Sequence, residues 1–284
     1  MAPLADTRLY VPKLSEIPRD LYWLVIGDSG TGKTHLLGTL CELLPTVVVT
    51  ADAKGLDTLQ FMGLDPYVER ITNLGAQAWD VLERLRAGAG TKWRAVALDD
   101  IGALQLRAHD KVITSAVGRN EEQLTRVQLQ QHIKQQMLRG ERRLRLDQWG
   151  EMGIAVDTFL DEVLTMPFTI KVATVLEEAR EHPRTGQQHL VPNLLGGLRN
   201  DLLAQFSLVA NSFIQREDGA DHWCLTTRPH PRIATKDRYA RPRTWVDPTA
   251  AKLLQHIKKG GDDKESKLEE KIGLGVIVEP ARQQ

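Results

Sequence analysis

The sequence Gly27-Asp28-Ser29-Gly30-Thr31-Gly32-Lys33-Thr34 decides the fold of this chain. Before it lies the apolar run 21–26, which predicts a β-strand, and after it the segment 35–44 predicts a helix. A strand, a Gly-x-x-x-x-Gly-Lys-Thr loop and a helix in this order form the phosphate-binding loop, or P-loop. We therefore predict that residues 27–34 bind the phosphates of a nucleotide.

Each residue type in this loop suits phosphate binding. The glycines let successive backbone N–H groups converge on a phosphate, and the N-terminus of the helix adds a favourable dipole. Lys33 is predicted to reach the β- and γ-phosphates, and the Thr34 hydroxyl to hold Mg²⁺. The alternative is a chance glycine-rich turn, which the flanking strand and helix disfavour.

A second stretch fits the same site. The sequence Trp93-Arg94-Ala95-Val96-Ala97-Leu98-Asp99-Asp100 is an apolar strand with an acidic end, the Walker B pattern. Asp99 is predicted to leave the carboxyl end of this strand beside the P-loop and to hold Mg²⁺ through water. The alternative is a strand followed by an Asp that caps a helix. In the strand predicted at 168–175, Thr174 is either a γ-phosphate sensor or a plain strand residue.

The composition limits the class of protein. Of the 284 residues 42% are hydrophobic, enough for a substantial core. The formal net charge is zero, so nucleic-acid binding would depend on local basic segments. The two cysteines indicate reduced thiols, the eight histidines lack metal-ligand spacing, and no apolar run approaches membrane-spanning length. We expect a soluble, cytoplasmic protein that does not bind membranes.

The rest of the pattern predicts an irregular lead-in at 1–20, a core at 21–259 and a charged linker with a short apolar tail at 260–284. Strands and helices alternate in the core, which predicts a three-layer α/β fold with a mainly parallel sheet and helices on both faces. The polar stretch 103–147 is predicted as a helical insertion in this core. The apolar patch 272–278 is predicted as a strand, either on this core or docked on a neighbour.

Two basic segments are candidates for contacts with phosphates: 228–243, and 126–145, which is predicted as a mobile arm that meets DNA phosphates or a neighbouring subunit. The stretch 126–145 carries many basic residues and one acid, and its alternative reading is a solvated helical hairpin. A loop is predicted at 177–197. The segment 228–243 contains three prolines and is either a solvated loop or a phosphate-contacting segment. The candidate DNA-binding residues in the stretch 126–145 are Arg139, Arg142 and Arg143.

With these motifs in place, the chain resembles the phage-encoded RecA-like ATPases, the minimal-core recombinases of the single-strand annealing group, classed with phage AAA-type nucleotide-binding proteins. The resemblance covers about residues 20–257. It is carried by the P-loop at 27–34, Asp99, Trp149-Gly150, Gly196-Gly197 and Ala234-Thr235-Lys236-Asp237-Arg238.

The resemblance implies an ATP- and Mg²⁺-dependent ATPase that acts on single-stranded DNA in recombination or annealing. It also implies a homo-oligomer, filament or ring, with ATP between the subunits. Lys236 and Arg238 match residues that reach the γ-phosphate of the neighbouring subunit in such assemblies. The loop 177–197 matches a DNA-binding loop of the family, which makes Arg180 and Arg184 candidate DNA-binding residues. The stretch 103–147 takes the place of the family's other DNA-binding loop.

The chain departs from the family at the catalytic base. The family usually places a Glu after the second strand to orient the attacking water, but here Asp52 is the nearby carboxylate. Asp100 is the alternative, in the position where AAA+ enzymes carry a Glu after Walker B. ATP binding is therefore predicted more firmly than ATP hydrolysis.

Two other functions stay open at this point. One is an AAA+-type motor or loader in replication or packaging. The other is a nucleotide-gated adaptor that binds ATP with little hydrolysis and uses the 103–147 stretch to grip a protein.

Overall fold

The computed structural model describes residues 20–115 and 146–278, except for residues 53, 73, 75, 182–185, 195–196 and 263. The predictions made for Arg139, Arg142, Arg143 and Arg184 lie outside the described residues. The same is true of most of the stretch 103–147.

Strands and helices alternate along the first half of the chain. The strands are β1 (Leu21–Gly27), β2 (Thr46–Thr50), β3 (Tyr67–Arg70), β4 (Ala95–Leu98), β5 (Ile170–Glu181), β6 (Gln188–Pro192), β7 (Leu208–Glu217), β8 (Ala220–Thr226), β9 (Lys236–Asp237) and β10 (Thr244–Val246). The helices are α1 (Lys33–Leu43), α2 (Gly55–Phe61), α3 (Ala76–Gly88), α4 (Ile101–Ser115), α5 (Leu146–Thr165), α6 (Leu198–Gln205), α7 (Ala250–Lys258) and α8 (Lys267–Val278).

The strands form one mixed sheet in the order β10-β8-β7-β1-β5-β4-β2-β3, with β6 attached to β5 and β9 to β7. The six strands from β7 to β3 in this order pair in parallel. The pairings of β6, β8, β9 and β10 are antiparallel. The strand β1, which leads into the P-loop, therefore lies near the middle of the sheet, between β7 and β5.

Both faces of the parallel part are buried, which explains its nearly continuous apolar strands. In β1, Leu24 and Ile26 pack into one hydrophobic cluster, which includes residues of α3, α4, α5 and α6. Trp23 and Val25 pack into a second cluster on the other face, with residues of α1 and α7. The predicted three-layer α/β fold with a mainly parallel sheet is confirmed.

Two local predictions were wrong. The segment 177–197 was predicted as a loop, but β5 continues to Glu181 and pairs antiparallel with β6. Its residues are mostly polar, so the backbone hydrogen bonds of the ladder hold this hairpin without an apolar signal in the sequence.

The apolar patch 272–278 was predicted as a strand, but it lies in the helix α8. A capping box starts this helix: the backbone N–H of Ser266 donates to Glu269 Oε2 at 2.8 Å, and the N–H of Glu269 donates to Ser266 Oγ at 3.2 Å. Ile272 of α8 packs against Cys224 and Val246 of the sheet.

Among the described residues, no helix combines the length and apolar character that crossing a membrane would require.

Candidate active site

The loop 27–34 joins β1 to α1 at the carboxyl edge of the sheet. Gly30 and Gly32 have φ values of 77° and 85°, in the left-handed region that favours glycine. Gly27 packs so closely on β7 that a Cβ there would lie 2.3 Å from the carbonyl oxygen of Ser212. The Ser212 hydroxyl in turn donates to the carbonyl oxygen of Thr31. The neighbouring strand β7 therefore fixes the shape of the loop.

Lys33, the first residue of α1, lies buried over the loop. Its Nζ donates to the carbonyl oxygens of Gly27 at 2.8 Å and Asp28 at 2.6 Å. Burial lowers the pKa of Lys33, and the nearby carboxylates of Asp100, Asp99, Glu177 and Asp28 oppose this effect. The ammonium group is thus held at the start of the loop, inside a negative field.

The structure brings Thr34 and Asp99 together. The Thr34 hydroxyl donates to Asp99 Oδ2 at 3.1 Å, and the hydroxyl of Thr174 donates to the other oxygen, Oδ1, at 2.6 Å. These contacts follow from the sheet order, because β5 lies between β1 and β4 and all three strands end at the same edge. Thr174 therefore orients the carboxylate of Asp99.

The pair Thr34 and Asp99 fits a Mg²⁺ ion that is shared with phosphate. Both side chains supply oxygen donors, the ligand type that Mg²⁺ prefers. In the described part of the chain, no group of three His, Cys, Asp or Glu residues could hold a metal ion by itself. Mg²⁺ usually takes one or two protein oxygens and completes its shell with phosphate and water, so this small donor set suits it.

Burial raises the pKa of Asp99, while the hydrogen bonds from Thr174 and Thr34 and the charge of Lys33 lower it. Burial also raises the pKa of Asp100 and of Glu177. A single buried lysine thus faces several carboxyl groups whose ionised forms are costly. A bound cation would favour their ionised forms.

The two predicted base residues both line a cavity of about 460 Å³ beside the P-loop. Each carboxylate also supports the local backbone: Asp52 Oδ1 accepts from the N–H of Lys54 at 3.0 Å, and Asp100 Oδ1 accepts from the N–H of Ala103 at 2.9 Å. Asp100 therefore caps the N-terminus of α4. The alternative interpretation of this strand end had assigned that role to Asp99.

Sequence reasoning missed Glu177 as a site residue because it placed this residue in a loop. Glu177 lies on β5, one residue after Leu176, which pairs with Gly27. Asn211 of β7 donates from Nδ2 to Glu177 Oε2 at 2.8 Å. The one available signal was the change from an apolar run to an acidic residue three positions after Thr174.

Lys236 and Arg238 lie elsewhere in the chain. β9 pairs with Leu208 and Val209 at the start of β7, whereas Ser212, four residues on from Leu208, lies beside Gly27. Lys236 Nζ donates to the carbonyl oxygen of Leu203 at 2.7 Å. Neither residue lines the cavity of its own chain. A role at the γ-phosphate of a neighbouring subunit stays a prediction.

The described basic residues of the candidate DNA segments fall into two groups. Arg180 is exposed on β5, where its Nε lies 2.6 Å from Glu178 Oε1. In the segment 228–243, Arg238 and Arg241 are also exposed, whereas Arg228 pairs with Glu265, and Arg243 pairs with Glu269 at 2.9 Å. The last two arginines therefore bind the C-terminal part of the chain instead of facing solvent.

The chain was compared with known proteins by sequence and by structure. None of the curated proteins is significantly similar to the chain in sequence. Among solved structures, a KaiC-like protein, PH0186, from Pyrococcus horikoshii OT3 is similar, with 14% identity, a TM-score of 0.42, and coverage of 84% of this chain and 96% of that one. The flagellar accessory protein FlaH from Methanocaldococcus jannaschii shows 12% identity, a TM-score of 0.38, and coverage of 81% and 86%.

The family model of an AAA domain matches residues 19–239, a range that contains the P-loop, Asp99 and the strands on both sides of them. The chain therefore belongs to the AAA_24 family of AAA domains.

Proposed function

We propose that the protein is an ATPase that uses Mg²⁺ and acts on single-stranded DNA in recombination or annealing. The observation that carries the ATPase part is the contact between Thr34 and Asp99, 3.1 Å apart beside the glycine loop and Lys33. Residues 65 positions apart in sequence meet here at the place where a triphosphate and its metal would lie.

Each of these residues has a defined task in the proposed site. The backbone N–H groups of residues 30–34 and the ammonium group of Lys33 bind the phosphates. Thr34 and Asp99 would hold Mg²⁺, whose charge neutralises the β- and γ-phosphate oxygens. Thr174 fixes the carboxylate of Asp99 through its 2.6 Å hydrogen bond.

Hydrolysis also needs a carboxylate that orients the attacking water, and we assign this task to Glu177. Asp100 caps α4, and Asp52 is exposed and holds a turn with Lys54. Glu177 lies on β5, one residue past the pair of Leu176 with Gly27, and its charge interacts with those of Asp28 and Lys33. Asn211 binds one of its two carboxylate oxygens and so leaves the other to a water molecule.

The DNA part of the proposal rests on the place of the β5–β6 hairpin. β5 continues past Leu176, the partner of the last residue of β1, so the hairpin begins where the nucleotide site ends. Arg180 is exposed on this hairpin, three residues after Glu177. DNA phosphates bound at Arg180 would thus act on the same strand that carries Glu177.

The proposal is tested by measuring phosphate release from ATP with and without single-stranded DNA, together with DNA binding at several salt concentrations. We expect DNA to stimulate hydrolysis and binding to weaken as salt rises. Arg180→Ala should reduce the stimulation. Arg86→Ala is the matched control, since Arg86 is also an exposed arginine in an ion pair with a glutamate, Glu162 at 2.7 Å.

The outcomes separate the proposal from its alternatives. If the protein hydrolyses ATP but DNA neither stimulates hydrolysis nor binds in a salt-sensitive way, the DNA part of the proposal is refuted. ATP binding with negligible hydrolysis would favour a nucleotide-gated adaptor. Electron microscopy with a non-hydrolysable ATP analogue, with and without DNA, would distinguish a filament on DNA from the closed ring of a motor or loader.

A further inference from the structure

The cavity beside the P-loop has two chemically different ends. One end is polar and lies on the side of β4 and β2, where Asp99 and Asp52 contribute to its wall. The other end lies on the side of β7 and β8, across β1, and its wall includes the ring of Trp223. If Thr34 and Asp99 hold Mg²⁺ and the γ-phosphate at the polar end, as proposed above, the rest of a bound nucleotide extends away from that end.

Trp223 is placed over the start of α1. Its ring atoms would lie 3.4 to 3.6 Å from a Cβ added at Gly32. The ring of His35, one residue after Thr34, has its centroid 4.6 Å from that of Trp223, with 57° between the planes. Thus two aromatic rings stand beside the helix N-terminus, next to the residues that bind the phosphates.

Trp223 is more exposed than the other tryptophans of the sheet. It is 38% exposed, whereas Trp23 and Trp245 of the same sheet are 1% exposed and lie in the hydrophobic core. A tryptophan that packs on a glycine with one part of its ring and faces a cavity with another leaves an aromatic surface open to a ligand.

From these observations we infer that Trp223, with His35 beside it, is the platform on which the base of the bound nucleotide stacks. This inference rests on the proposed nucleotide binding and adds the base-binding residues, which the P-loop motif does not specify. Stacking uses the face of the base and does not read its hydrogen-bonding edge, so it tolerates different bases. The platform therefore takes purine nucleoside triphosphates as a class and prefers them to pyrimidine ones, because a purine offers the larger face.

The test compares the affinity for Mg·ATP with that for Mg²⁺ and inorganic triphosphate, which has no base. Trp223→Ala should weaken ATP binding by roughly 5- to 150-fold, the range found for base stacking on aromatic side chains. The affinity for inorganic triphosphate should stay within about twofold. Trp79→Ala is the control, since Trp79 is 55% exposed on α3 and lies outside the cavity wall.

Two further variants separate stacking from packing on Gly32. Trp223→Phe keeps a ring and should retain most of the ATP affinity. Trp223→Leu keeps apolar bulk on Gly32 but has no ring. If the base stacks on Trp223, this variant should lose as much ATP affinity as Trp223→Ala. If Trp223 only packs on Gly32, the variant should bind ATP as tightly as Trp223→Phe. In wild type, ATP should quench more tryptophan fluorescence than inorganic triphosphate does, and Trp223→Phe should remove the difference.

Several results would overturn the inference. Trp223→Ala and Trp223→Leu could weaken ATP and inorganic triphosphate equally, which would make Trp223 a support of the loop. They could also leave ATP binding unchanged, which would place the base elsewhere. A wild-type protein that binds inorganic triphosphate and ATP with the same affinity would likewise refute stacking. If wild type binds neither compound, the proposed function itself fails, and this inference fails with it.

Discussion

Within the described part of the chain, two of the partly or fully buried clusters of charged side chains are built in opposite ways. The nucleotide cluster comprises Lys33, Asp99, Asp100 and Glu177, and the C-terminal cluster comprises Arg228, Arg243, Glu265 and Glu269. The first has one basic group for three acidic ones, and the second has two of each. The difference in charge balance distinguishes a site that needs a ligand from one that holds the fold.

The C-terminal cluster is satisfied within the chain. Arg243 Nη2 lies 2.9 Å from Glu269 Oε2, with both side chains about nine-tenths buried, and Arg228 pairs with Glu265. The carboxylates also accept backbone hydrogen bonds, from Thr244 to Glu265 at 3.0 Å and from Ser266 to Glu269 at 2.8 Å. These contacts attach α8 and the segment before it to β10, so the cluster is structural.

The nucleotide cluster is left with surplus negative charge. Burial raises the pKa of Asp99, Asp100 and Glu177, which means that folding alone shifts the preference of each group towards its neutral form. A divalent cation would reverse this preference, and Lys33 would then turn to the phosphates that arrive with it. Unbalanced buried charge of this kind is typical of functional sites.

The largest expected effect is on the nucleotide cluster. Lys33→Ala removes its one basic group, so ATP hydrolysis should fall by about 1,000-fold, because a positive charge at the γ-phosphate is lost. Lys92→Ala is the control, since Lys92 is exposed and lies over the ring of Tyr67, away from the cavity. Steady-state phosphate release measures both variants. Full hydrolysis by Lys33→Ala would contradict the assignment of the site.

The second effect is on the C-terminal cluster and concerns stability. Arg243→Ala leaves Glu269 buried without its cation, so the free energy of unfolding should fall by about 3 kcal/mol or more. ATP hydrolysis per folded molecule should not change. In the exposed pair of Arg86 and Glu162, Arg86→Ala should cost less than about 1 kcal/mol. Urea unfolding of the two variants tests the comparison, and equal losses would show that the Arg243 pair is not structural.

The features of the nucleotide cluster that depend on neighbouring residues could be predicted from the sequence. The glycine loop, the apolar strand β1 and the strand that ends at Asp99 are read from adjacent residues, and the sheet topology then brings Thr34 to Asp99. Parallel strands buried on both faces have long apolar runs, which is why β1 and β4 were predicted at nearly their observed bounds.

What the sequence did not predict depends on contacts between distant strands. Glu177 meets Asn211, and Trp223 meets Gly32, only because β5, β7 and β8 lie around β1. The helix α8 was mistaken for a strand because a short apolar run has no clear period, although Ser266 and Glu269 carried the signal of a capping box.

The third expected effect concerns the carboxylate of the nucleotide site that orients the attacking water. Glu177→Gln keeps the size of the side chain and an oxygen for Asn211 but removes the charge, so hydrolysis should fall by about 100-fold while ATP binding is retained. Asp52→Asn is the matched variant and should reduce hydrolysis by less. Single-turnover hydrolysis and equilibrium binding measure the two quantities. A larger loss in Asp52→Asn would reassign the role to Asp52.

The smallest expected effect is on the pH dependence of stability without nucleotide. Burial raises the folded-state pKa of Glu177, so the folded chain binds more protons than the unfolded chain above about pH 4.5. The contribution of Glu177 to the free energy of unfolding therefore falls as the pH rises through this window. Glu177→Gln should then be more stable than wild type at pH 7, and the two should converge at low pH.

Glu69 provides the opposite case on the far side of the sheet. The hydrogen bonds from Arg84, at 2.9 and 2.7 Å, lower the pKa of Glu69, so its contribution to stability is present at neutral pH and is lost as the pH falls below about 4.5. Glu69→Gln should therefore be less stable than wild type at pH 7 and converge with it in acid. Urea unfolding between pH 3 and pH 8 would show the two variants departing from wild type in opposite directions. If both variants departed from wild type in the same direction, the interpretation that negative charge is in surplus at the P-loop would be wrong. Glu177 would then be as well neutralised as an ion-paired glutamate.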